Sequence, residues 1–194
     1  MNKNEIAEVV KREIDRTGGV LRLRPCWIAR TFLEPGKRLG LREEEYNVGK
    51  RGWICERWLG SETLADNEVK AENEGLSFLD IAGTEIILRD AVQTAGDLIM
   101  GKEYAAKHQT LGRLAKIFDY KERIFYHIHQ TQEEASKVGA TSKEEAYYFP
   151  KGVDMGPHPE TFFGVHPYIV EQKRQYEILL PYLEKWDSEL ILQH

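Results

Sequence analysis

The chain has 194 residues, 41% hydrophobic and 30% charged, enough for one domain with a sizeable core. Its 32 acidic and 27 basic residues leave a net charge of -5, and the basic residues are scattered, which argues against a nucleic-acid partner. No apolar stretch approaches the roughly 20 residues that span a bilayer, and Met1-Asn2-Lys3-Asn4-Glu5 is no signal core, so a cytoplasmic protein without a membrane partner is expected.

In chain order, residues 4–16 predict a helix. Ile6, Val9, Val10 and Ile14 form one stripe, Asn4 is the expected N-cap and Gly18-Gly19 the stop. Packing on its own domain is favoured over docking to a partner. Val20 to Arg24 then alternates as a strand does. Trp27–Leu33, Lys37–Leu41 and Trp53-Ile54-Cys55 follow, punctuated by Pro25 and Pro35-Gly36. Such short strands predict a β-rich sandwich or barrel. Residues 60–75 are polar and acidic and read as an exposed loop. Cys26 and Cys55 lack metal-type spacing and read as reduced, buried thiols.

Residues 84–89 predict another strand. Asp90 is the expected cap of a helix carrying Ala91, Val92, Ala95, Leu98 and Ile99, with a second short helix over 102–108, so that 84–112 forms a largely helical insertion. Leu114–Asp119 and Arg123–His129 read as successive strands. Thr131 with Glu134 predicts a capped helix ending at Gly139, and Glu144–Phe149 a return strand. Beyond Pro150 the chain is loop-like. Residues 169–186 read as an amphipathic helix, and 189–193 as the start of a strand.

The chemistry-bearing feature is His127-Ile128-His129, followed by Glu145. Histidines at i and i+2 on a strand share a face. A carboxylate returned by the next strand completes a set of three ligands suited to zinc or a similar divalent ion. His-x-His alone is more often two hydrogen-bonded surface histidines. Glu145 is conspicuous, however, beside Tyr147 and Tyr148 in an apolar run, where a carboxylate needs a cation or an arginine partner. His108, His158, His166 and His194 are weaker candidates for a fourth ligand.

These motifs resemble the type I phosphomannose isomerases and, more closely, isomerase-like cupins. Leu114-Ala115-Lys116-Ile117-Phe118-Asp119 is similar to the family's Leu-Phe-Lys-x-Leu-Asp strand. His127-Ile128-His129-Gln130 occupies the place of its Gln-x-His-Pro, and Ser142-Lys143-Glu144-Glu145-Ala146-Tyr147-Tyr148 that of Gly-Lys-Thr-Glu-x-Trp-Tyr. Glu56-Arg57-Trp58-Leu59-Gly60-Ser61 resembles the family's tryptophan-glycine segment. The likeness covers most of residues 20–165. It implies a mainly β, cupin-like jelly roll (a double-stranded β-helix) with helical insertions, as one domain over 1–194 with its N-terminal helix at 1–17. It implies zinc held by His127, His129 and Glu145, and it places Lys116 and Lys143 near a sugar or sugar-phosphate substrate. Without the resemblance both lysines read as solvated.

Two departures stand out. His127 replaces the family's glutamine, and the downstream proline-glycine-x-x-His segment and arginine are missing before His194. The chain is therefore expected to be truncated at its C-terminus. The expected activity is metal-dependent aldose–ketose isomerisation of mannose 6-phosphate or a related sugar. The alternatives are a non-catalytic sugar-binding or regulatory cupin and an iron-dependent cupin oxygenase.

Overall fold

The computed structural model describes residues 1–125, 127, 129–157, 159–161, 167–171 and 177, which fall in two units, 1–124 and 125–194. Among the described residues it is a mixed α and β structure: a small antiparallel sheet with several helices. His158, His166, His194, most of the 169–186 helix and the 189–193 strand lie outside the described residues.

In the first unit, α1 spans Lys3–Thr17. Its cap is Asn2, two residues before the expected Asn4. The Asn2 side chain accepts from the Glu5 amide at 3.0 Å, while Glu5 takes the Asn2 amide at 2.9 Å. This reciprocal pair needs a carboxylate three residues on, which Asn2 has and Asn4 lacks. Gly18 closes the helix at φ 68°, a conformation glycine adopts without cost. α2 spans Leu88–Met100 and is irregular at Ala95; Asp90 lies in its first turn rather than capping it. There its charge still complements the helix dipole. The apolar faces of the two helices meet: Ile6 and Val10 pack with Leu79, Ile86, Leu88, Ala91, Val92 and Ala95 in one buried cluster. α1 thus covers its own unit, while Leu98 is exposed. α3 is a single turn, Lys102–Ala105.

The sheet order is β1 (Cys26–Arg30), β2 (Trp53–Leu59), β3 (Ala115–Phe118), antiparallel throughout. A bulge between Ile28 and Ala29 shifts the register. The expected strands 20–24 and 84–89 are reduced to isolated bridges, Leu23 with Leu79 and Phe78 with Ile87. Lys37–Leu41 forms no strand. The Pro35-Gly36 turn directs that segment into a strap, with the Gly36 amide donating to the Asp119 carbonyl and Arg38 Nε to Asp119 Oδ1 at 2.7 Å. A jelly roll is therefore the finer expectation, and the ladder seen here is three strands.

The 60–75 segment is a loop, but it is less exposed than its polarity predicts. Ser61 and Ala65 are buried, and Glu74 accepts the Ala29 amide at 3.0 Å, where the β1–β2 register shifts past Cys55. The carboxylate satisfies a backbone donor released there.

One face of the sheet carries a buried polar knot. Glu56 is 2% exposed. Its carboxylate accepts from Arg30 Nε at 2.6 Å and Nη2 at 3.3 Å, from Trp58 Nε1 at 2.6 Å and from the Tyr120 hydroxyl at 2.5 Å. Alternation along β2 puts Glu56 and Trp58 on one side, and pairing with β3 sets Phe118 and Lys116 beside them. Burial pushes the Glu56 carboxyl up, but Arg30, Tyr120 and Trp58 together outweigh it and hold it below its usual range.

Candidate metal centre

In the second unit, Thr131 caps α4 (Gln132–Ser136), its hydroxyl accepting from the Glu134 amide at 3.3 Å. The last turn closes through the Ala140 amide on the Ala135 carbonyl, and Gly139 takes φ 69°. Gln132 then reaches across the bend: its Oε1 accepts the Ser142 amide at 3.0 Å. That clamp turns the chain back so that 143–145 returns to 127–129. The expected strands here are not present as ladders among the described residues: 127, 129 and 144–149 carry no strand assignment. An extended segment becomes a strand only when a neighbour supplies its hydrogen bonds, and here side chains make the contacts.

Those contacts bring His127, His129 and Glu145 together, one potential ligand atom from each lying within 4.8 Å of the others. His129 Nε2 is 2.8 Å from Glu145 Oε2, and His127 Nε2 is 4.0 Å from the same oxygen. The two imidazoles meet edge to face with centroids 5.1 Å apart. His127 Nδ1 lies 3.0 Å from the Phe125 carbonyl. A carbonyl only accepts, so Nδ1 carries the proton and Nε2 presents its lone pair to the cluster. This is the outer hydrogen bond that orients a metal-ligating histidine. The donor set therefore fits a divalent ion: two imidazole nitrogens and a carboxylate oxygen, converging and oriented.

Lys143 joins them, its Nζ 2.9 Å from Glu145 Oε1 and 3.4 Å from His129 Nε2. Burial pushes the Glu145 carboxyl up, yet the bonds from Lys143 and His129 prevail and hold it below the usual carboxylate range. Its side chain is only 17% exposed, whereas Tyr147, Tyr148 and Phe149 are exposed. The need for a counter-charge was legible in the sequence; a lysine two residues away meets it.

Lys116 belongs to the first unit. It sits 3.8 Å from Glu56 Oε2, with Nζ 4.8 Å from the Trp58 ring centroid and 5.4 Å from that of Phe118. It is a packed cation and not the solvated lysine of a resemblance-free reading. His108 belongs to the first unit, its ring tilted against Tyr104 with centroids 4.2 Å apart. Sequence reasoning missed Gln132 and the Phe125 carbonyl. Neither left a signal, because one works through a backbone amide and the other through its own backbone. It also missed the Arg30–Glu56–Tyr120 knot, whose members are distant in sequence.

Cys26 and Cys55 are free and buried, as expected. Burial pushes the Cys55 thiol up to about 12. Among the described residues no helix is long and apolar enough to cross a membrane. No protein-family model matches the chain, no curated protein matches it, and no solved structure does.

Proposed function

We propose that this protein is a metal-dependent aldose–ketose isomerase for mannose 6-phosphate or a related sugar, with His127, His129 and Glu145 holding zinc or another divalent ion. The observation that carries the reading is the convergence of those three groups within 4.8 Å, on a chain whose motifs resemble those of the isomerase-like cupins. A divalent ion in this donor set supplies Lewis acidity toward a sugar oxygen. His127 is oriented for the task by Phe125, and Glu145 contributes a carboxylate kept ionised by its neighbours. Isomerisation moves a proton between adjacent carbons and needs a group within reach to carry it. Lys143 in the second unit is the candidate to position the substrate or assist that transfer, as an ammonium donating to a substrate oxygen or phosphate. Lys116 is a second candidate for the same role through the resemblance alone.

Metal content measured by mass spectrometry, with His129→Ala alongside, tests the centre. About one zinc per chain, lost in the variant, is expected. Turnover of mannose 6-phosphate by the metal-loaded protein tests the activity; no metal in either sample refutes the reading. Two histidines and one carboxylate also match the donor set of iron oxygenases. Iron as the resident metal, with substrate-dependent oxygen consumption, selects that reading instead.

A further inference from the structure

Lys143 brings a positive charge into direct contact with two of the three groups assigned to the metal. Its Nζ is 2.9 Å from Glu145 Oε1 and 3.4 Å from His129 Nε2. Lys143 and Glu145 are two residues apart, so the chain itself keeps the ammonium close to the carboxylate. His129 Nε2 donates to Glu145 Oε2 and Lys143 Nζ to Glu145 Oε1, so a cation entering the centre has to displace donors already bonded to that carboxylate. An ammonium at that distance also repels a divalent ion seated on the same carboxylate and imidazole.

We propose that Lys143 competes with the metal for Glu145, so that metal entry is a cation exchange at this centre. The ammonium leaves Glu145 as the ion arrives. With 47% of its side chain already exposed, Lys143 can swing outward without crossing a packed core. The released ammonium is then available to a substrate oxygen, which orders the events: metal first, substrate second. This rests on the metal reading above. The opposite role, in which Lys143 supports Glu145 as a ligand from outside, predicts the opposite sign on metal affinity.

The experiment is a zinc titration of the chelator-stripped protein against a chromophoric competitor. Wild type, Lys143→Met, Lys143→Arg and Lys151→Met are compared, the last removing one exposed charge of the same unit. Lys143→Met is expected to bind zinc about fivefold more tightly, the scale of a partly exposed charge pair. Lys143→Arg keeps the charge and stays near wild type, as does Lys151→Met. The gain shrinks between about 0.05 and about 0.5 M salt. Equal or weaker binding by Lys143→Met, with zinc still held by wild type and lost in His129→Ala, overturns the competition alone. Zinc binding by none of the chains, or binding indifferent to His129→Ala, overturns the metal centre and the competition with it.

Discussion

Replacing Arg30 with Met isolates what the polar knot contributes to the first unit. Glu56 is 2% exposed and the Arg30 side chain 10%, so the pair is shielded from solvent and little screened by salt. The substitution removes two bonds to the carboxylate, at 2.6 and 3.3 Å, and a third to Asn67 Oδ1 at 2.5 Å. Three partners stay: Trp58 Nε1, the Tyr120 hydroxyl and, at 3.8 Å, Lys116. Stripping one partner from a buried ion pair costs roughly 3–5 kcal/mol, and the surviving donors place this case near about 3 kcal/mol. With a urea slope of about 2 kcal/mol per molar, the midpoint falls by about 1.5 M. Acid narrows the gap. The folded-state pKa of Glu56 lies below its unfolded value, so its contribution is full above the usual carboxylate range and is lost as pH falls through the lowered value. Urea unfolding at pH 7 and at about pH 3, followed by tryptophan fluorescence, measures both. A cost under about 1 kcal/mol at pH 7 would refute the argument, as would a gap that widens in acid.

Three further outcomes are expected. Asn2→Ala removes the α1 capping box and should cost about 1 kcal/mol in thermal or urea unfolding, with Asn4→Ala nearly silent. Gly52→Ala places a methyl group against the Arg30 carbonyl at φ 87° and should cost about 3 kcal/mol or more, visible as a large loss of thermal stability. Cys26 and Cys55, both buried with raised thiol pKa, should resist iodoacetamide at pH 8 until urea unfolds the chain, as read by intact mass; rapid native alkylation would contradict their burial.

Several local signals were legible in the sequence, although the caps of α1 and α2 were expected at Asn4 and Asp90 and lie at Asn2 and Ile87. The stripe Ile6, Val10 and Ile14 predicts α1 because helical spacing puts these residues on one face, and Gly18 and Gly139 mark turns that a side chain would strain. Thr131 predicts the start of α4 through a bond three residues long. The pairing of His127, His129 and Glu145 was legible too, from residue type and an i, i+2 spacing, although the strands assumed to carry them are not ladders here. Tertiary structure alone decided the rest. It set which apolar segments found hydrogen-bonding partners, so that Trp53–Leu59 became the central strand while Lys37–Leu41 became a strap on Asp119. It also converted the acidic 60–75 segment into cover for the sheet through Glu74, and assembled Arg30, Glu56 and Tyr120 into one buried knot. The physical reason is common to all three. A residue's own chemistry states that a charge or a backbone amide needs a partner, and only the folded chain decides which distant group supplies it.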